Sequence, residues 1–84
     1  RGRLVGIFTD GDLRRHIESD AHLLERRVSD VMTRNPTTIL KDKLAVEALR
    51  ILQDRKIDEL PVIDRKNKLV GLLDVQDLLK AGLF

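Results

Sequence analysis

The segment Arg3-Leu4-Val5-Gly6-Ile7-Phe8 returns later in the chain as Lys68-Leu69-Val70-Gly71-Leu72-Leu73, and Asp12-Leu13 returns as Asp77-Leu78. The offset is constant, from 3 to 68 and from 12 to 77. Leu, Val, Gly, Asp and Leu recur in register, and the basic and aliphatic positions are replaced in kind. Self-similarity at a fixed spacing marks a repeated supersecondary unit, and such a unit must stack on a neighbour to bury its apolar face. Two copies related by a pseudo-two-fold would place two related clefts between them.

The local signals fill in the unit. Leu4–Phe8 reads as a short buried strand. Thr9 has the chemistry of a helix N-cap, and a helix is predicted over Gly11–Ser19. Asp20–Arg27 reads as a polar connection or a short helical piece, and Val28–Met32 as an added amphipathic turn. Asn35-Pro36 breaks the chain. Thr37–Leu40 reads as a strand. Asp42 is expected to cap a helix from about Lys43 to Arg55, with Leu44, Ala45, Ala48, Leu49, Ile51 and Leu52 as its apolar stripe. Leu60–Ile63 is the next strand, closed by the polar turn Asp64–Asn67 and followed by a strand over Leu69–Leu73. Asp74 then caps a last helix to about Ala81, which Gly82 ends.

From Thr37 onward the predicted order is strand, helix, strand, strand, helix. Before Thr37 only the last strand and helix of that unit appear. The fold class is therefore α+β, with one complete repeat over 28–84 and the C-terminal β-α part of a preceding repeat, with its connection, over 1–27. The other half of that first repeat would cover the apolar surface of Leu4–Phe8. A shortened chain, a proteolytic remnant or a partner chain supplying the half-repeat is expected.

Composition removes several classes of function. The chain of 84 residues has no cysteine, which excludes disulfides, thiol chemistry and the usual structural zinc sites. No apolar run approaches the ~20 residues of a membrane span, and no signal peptide is evident. A cytoplasmic protein is expected. Lys and Arg total 16 against 14 Asp and Glu, a net charge of +2, and the aromatics are Phe8 and Phe84 alone. Readers of single-stranded nucleic acid usually present aromatic stacking platforms, so a nucleic-acid partner is not expected. Arg1, Arg3, Arg14 and Arg15 crowd the N-terminal part. Solvated faces explain most such residues, and a phosphate-bearing ligand is the functional alternative.

The chemistry-bearing stretch is Gly6-Ile7-Phe8-Thr9-Asp10-Gly11-Asp12, a hydroxyl and a carboxylate at a strand-to-helix junction. Two readings of it stand side by side. As a clamp, Thr9 donates to a phosphate at the helix N-terminus, Asp12 accepts both hydroxyls of a ribose, and Gly11 lets the backbone approach closely. As a cap, Thr9-x-x-Asp12 is a capping box with Asp in place of Glu or Gln, and Asp74-x-x-Asp77 repeats it. The two roles are compatible. Asp10, Asp12, Asp74 and Asp77 do not announce a metal site, and no metal is expected. His16 and His22, with no nucleophile signature nearby, read as solvent-exposed. No paired-carboxylate, zinc or P-loop pattern appears, so no catalytic residue is assigned.

Val28-Ser29-Asp30-Val31-Met32-Thr33 followed by Asn35-Pro36 resembles the opening of a CBS repeat. Leu60-Pro61-Val62-Ile63-Asp64 and Leu69-Val70-Gly71-Leu72-Leu73 resemble its second and third strands. Gly6 to Arg15 is similar to the first-repeat signature of the KpsF/GutQ family of D-arabinose 5-phosphate isomerases, and Asp77-Leu78-Leu79-Lys80-Ala81-Gly82 to that family's C-terminus. The resemblance implies the CBS fold, a β-α-β-β-α repeat. It also implies an upstream sugar-isomerase (SIS) domain that interconverts ribulose 5-phosphate and arabinose 5-phosphate for synthesis of the lipopolysaccharide sugar Kdo. Catalysis would lie in that domain, and this chain would regulate it by binding an effector, with no cofactor required.

CBS modules often hold adenosine nucleotides, which by resemblance puts Thr9 and Asp12 on phosphate and ribose, with Gly11 between them. The base falls to Thr37, Thr38 and Ile39 with the backbone of Leu60–Val62, including Pro61. An adenosine nucleotide or the pathway product CMP-Kdo is the expected effector. At the second junction Asp74 stands where Thr or Ser is expected and repels phosphate, so Asp77 marks a weaker second site. The alternatives are a purely structural module that self-associates as a CBS–CBS dimer, and the same repeats on another parent, such as a nucleotide dehydrogenase or an ion transporter.

Overall fold

Ile39–Leu40 and Glu59–Ile63 lie side by side and parallel, so the chain must cross back over the sheet between them, and it does so as a helix. The structure, a computed structural model, describes residues 2–82. In chain order its elements are β1 (Gly6–Ile7), α1 (Asp10–Ser19), a 3₁₀ turn (Leu23–Glu25), α2 (Val28–Val31), β2 (Thr33–Arg34), β3 (Ile39–Leu40), α3 (Ala45–Arg55), β4 (Glu59–Ile63), β5 (Leu69–Asp74) and α4 (Val75–Lys80). They form two units. The smaller is Val5–Pro36, and the larger joins residues 2–4 to the chain from Thr37 onward.

The larger unit has the predicted β-α-β-β-α order. Its sheet runs β3-β4-β5, with β4 and β5 antiparallel and Leu60 opposite Leu73. α3 and α4 cover one face. Ile39, Ala48, Leu52, Leu60 and Leu78 form the core, and Leu60 is fully buried at 0% exposure. The turn before β5 is organised by Asp64. Its carboxylate accepts the N–H groups of Lys66 at 2.9 Å and Lys68 at 3.0 Å, and Asn67 takes the left-handed conformation at φ 62°. The Lys68 N–H, ahead of the Lys66 N–H and the nearby lysine charges, holds the Asp64 carboxyl below its ordinary range.

Residues 2–4 join the start of β5. Arg3 and Lys68 form an antiparallel bridge, Leu4 donates its N–H to the Asn67 carbonyl at 3.1 Å, and the Asn67 amide returns a bond to the Leu4 carbonyl at 3.2 Å. Arg3 and Lys68 are the equivalent positions of the internal repeat. Equivalent residues facing each other across an antiparallel pair is local two-fold geometry, as the repeat predicts.

Several boundaries differ from those expected. α3 begins at Ala45, not Lys43, and Asp42 does not cap it. The N-cap position belongs to Leu44, whose N–H is taken at 2.9 Å by the Glu47 carboxylate, while Asp42 lies 3.7 Å from Arg65 in an exposed pair. A helix starting later leaves Leu44 67% exposed and Ala45 in solvent, so the apolar stripe narrows to Ala48, Leu49, Ile51 and Leu52. The helix stops where expected. Lys56 turns left-handed at φ 55°, and Lys56 and Ile57 donate to the carbonyls of Gln53 and Leu52, a Schellman end that returns Ile57 to the core. The expected strand Thr37–Leu40 shrinks to β3.

In the smaller unit β1 pairs antiparallel with β2, Gly6 opposite Arg34 and Ile7 opposite Thr33. The predicted strand Leu4–Phe8 shrinks to these two residues, because Leu4 is bonded to Asn67. Gly6 is required by close approach: a Cβ there would lie 2.5 Å from the Met32 sulfur and 2.9 Å from the Thr33 carbonyl oxygen. Among the described residues no helix is long and apolar enough to cross a membrane.

Candidate ligand-binding junctions

A strand that hands over to a helix without a loop leaves the first-turn N–H groups without backbone partners. At the start of α1 two side chains answer this. Thr9, in extended conformation, accepts the Asp12 N–H on its hydroxyl at 3.3 Å. The Asp12 carboxylate reaches back and accepts the Thr9 N–H at 2.9 Å and the Thr9 hydroxyl at 3.0 Å. The capping box read from the sequence is therefore formed. Thr9 is half-buried and Asp12 is only 5% exposed. Burial pushes the Asp12 carboxyl up, but the bonds from the Thr9 N–H and hydroxyl and the Arg15 charge outweigh it, so its pKa is lowered. Asp12 is ionised at neutral pH, as a group accepting a diol must be.

Arg15, which the sequence offers as either a solvated residue or a phosphate partner, joins this junction. Its guanidinium pairs with Asp12 Oδ1, the oxygen that Thr9 does not use. The side chain is itself 70% exposed. An acid and a base three residues apart on a helix share a face, and that spacing was the available signal. Gly11 lies between the partners: a Cβ on it would meet an Arg15 nitrogen at 3.4 Å and the Thr9 hydroxyl at 3.7 Å. Asp10 is turned outward and pairs with Arg14 at 3.0 Å.

The remaining candidates belong to the larger unit. Thr37 and Thr38 are half-buried ahead of β3, and Ile39 and Pro61 are buried. Ile39, one residue beyond Thr38, is level with Val62, one residue beyond Pro61, and Leu40 is level with Ile63. Pro61 faces Leu72 on the other side. Thr9, Gly11 and Asp12 thus come together within one unit, and Thr37, Thr38, Ile39 and Pro61 within the other.

The second junction is built differently. The Asp74 carboxylate accepts the Gln76 N–H at 2.8 Å, and Asp77 accepts the Asp74 N–H at 3.1 Å. Asp77 is exposed, and α4 has six residues where α1 has ten. The histidines separate as well. His22 is exposed and 3.5 Å from Glu25, whereas His16, expected in solvent, is half-buried and stacked on Phe8 with ring centroids 6.5 Å apart. Among the described residues no group of three or more His, Asp or Glu is arranged to hold a metal.

The comparisons with known proteins agree on one architecture. The arabinose 5-phosphate isomerase KdsD of Pseudomonas aeruginosa is 44% identical over 82 residues, covering 98% of this chain and 25% of that protein. The KdsD of Francisella tularensis is 41% identical over 80 residues, covering 95% and 24%. This chain thus spans about a quarter of the length of these relatives. The crystal structure of CBSX2 in complex with AMP superposes with a TM-score of 0.82 at 30% identity, over 98% of this chain and 64% of that one. The model of the CBS domain matches residues 28–83, the same stretch that carries the complete β-α-β-β-α unit. By that match and that fold, the chain belongs to the CBS domain family.

Proposed function

We propose that this chain is the effector-binding regulatory module of an arabinose 5-phosphate isomerase, and that its effector is a nucleotide or a nucleotide sugar. The observation that carries the reading is the Thr9/Asp12 junction: a buried, ionised carboxylate beside a hydroxyl at the head of a ten-residue helix. Thr9, by turning its hydroxyl proton from Asp12 to the ligand, and the helix N-terminus take a phosphate, and Asp12 takes a ribose diol. Gly11 keeps the approach open. Within the larger unit, Thr37, Thr38, Ile39 and Pro61 are the residues suited to a base. Residues 1–27 are the end of a first repeat with its connection, and 28–84 are the second. The AMP held by CBSX2 supports adenosine chemistry, and the isomerase relatives support the parent. In that parent an upstream SIS domain does the chemistry in the cytoplasm, for Kdo and lipopolysaccharide synthesis, and the modules pair between chains. CMP-Kdo is then a feedback effector, acting through unequal affinity for two module arrangements.

Calorimetry of the full-length protein with AMP, ATP and CMP-Kdo tests this. One of them binds, and Asp12→Ala weakens it by about 10–100-fold, the worth of a charge-assisted bond. No binding by any of the three overturns the reading. A second, purely structural reading is favoured by one observation: Thr9 and Asp12 already satisfy each other. It prevails if deleting the module dissolves the enzyme's oligomer while no ligand shifts its Tm.

A further inference from the structure

We infer that Arg15 sets this junction's preference for phosphorylated over unphosphorylated nucleosides, by exchanging its partner from the Asp12 carboxylate to the ligand's phosphate. The inference rests on the nucleotide reading above and adds to it the residue and the charge that select the ligand. Asp12 has two oxygens. Thr9 holds Oδ2 through both its N–H and its hydroxyl, and Arg15 holds Oδ1. A ribose diol therefore competes with Arg15 and not with the cap. The Arg15 side chain is 70% exposed and meets a ligand from the solvent side, whereas the Asp12 side chain is only 7% exposed, so a carboxylate that gives up Arg15 must be paired again by the diol.

Charge decides where the released guanidinium goes. The first turn of α1 carries Asp10 and Asp12, and Asp10 is paired outward with Arg14. A phosphate placed at Thr9 would face the Asp12 carboxylate and needs a cation to offset it. Arg15 is already over Gly11, whose missing Cβ leaves the guanidinium and the Thr9 hydroxyl flanking one point, at 3.4 and 3.7 Å. Moving from Oδ1 to a phosphate at Thr9 is a side-chain rotation across that glycine. The fork geometry of arginine suits both partners. A nucleoside without phosphate displaces Arg15 and offers it nothing in return, so it binds more weakly.

Calorimetry of the full-length protein with two matched pairs, AMP with adenosine and CMP with cytidine, reads this preference directly. In Arg15→Ala the nucleotide loses about tenfold in affinity, as for a lost charge-assisted bond, while the nucleoside is unchanged or tighter. Arg15→Lys recovers part of the nucleotide affinity, and Arg14→Ala leaves the ratio of the two affinities as in wild type. A general loss of fold weakens both members of a pair together and leaves their ratio alone, so the ratio separates this role from a structural one. A wild type that prefers the nucleotide, with the same preference in Arg15→Ala, overturns the inference and spares the nucleotide reading. A wild type that binds no member of either pair overturns both.

Discussion

The two strand–helix junctions of this chain are copies of one motif, yet they differ in almost every physical respect. Both close a capping box between an N-cap side chain and an aspartate three residues on. At α1 the cap is a hydroxyl, the aspartate is buried and an arginine completes its bonding. At α4 the cap is a carboxylate, the aspartate is exposed and the helix is short. Repetition preserved the cap, which is local. It did not preserve the environment, which is set by what packs around each copy. A carboxylate in water is a cap and little more, whereas one held at 5% exposure keeps fixed geometry and a defined charge.

The largest expected difference between the junctions is in stability. Asp12→Ala removes the acceptor of a half-buried N–H and hydroxyl and costs about 1–3 kcal/mol, the range for a buried polar group left without a partner. Asp77→Ala removes an exposed acceptor that water can replace, and costs about 0.5 kcal/mol, the low end for a lost cap. Urea unfolding of the two variants measures both. Equal losses would break the comparison, because burial would then count for nothing at these caps.

A pH series sharpens the same contrast. The Asp12 pKa is lowered from its ordinary value of 3.8, by bonds from Thr9 and Arg15 that outweigh burial. A depressed carboxylate contributes stability that is fully present above its unfolded pKa and is lost as pH falls through its folded pKa. Wild type should therefore keep a constant stability margin over Asp12→Asn at neutral pH, and that margin should shrink below about pH 4. A margin that stays flat to pH 2.5 would mean that the Asp12 charge contributes nothing to the fold.

Much of this was legible in the sequence, because it rests on local rules. The capping box, the helix expected over Gly11–Ser19, which starts one residue earlier at Asp10, and the end of α3 at Arg55 follow from residue type and spacing alone. The repeat predicted two-fold geometry, and Arg3 opposite Lys68 delivers it locally. What escaped depends on competition between partners. Asp42 looked like a cap, but Glu47 reaches the Leu44 N–H from inside the helix and shifts its start by two residues. β2 is two residues long and has no periodicity to read; its pairing with β1 requires Gly6 to admit Met32. Arg15 hid among exposed arginines, since only the burial of Asp12 distinguishes it from Arg14.

The smallest expected effect is the most pointed test of why the junctions differ. Asp74→Thr installs the hydroxyl found at Thr9 and removes the carboxylate that would repel a phosphate. A threonine can still accept the Gln76 N–H, so stability should change by no more than about 0.5 kcal/mol. If residue identity alone separated the junctions, this variant would give the second junction whatever nucleotide affinity the first one has. The expectation is that it does not, because Asp77 remains exposed and α4 remains six residues long. Calorimetry of Asp74→Thr with AMP should therefore return the wild-type stoichiometry. A stoichiometry that rises by one site would show that the cap residue, and not the burial of the aspartate, decides whether such a junction takes a nucleotide.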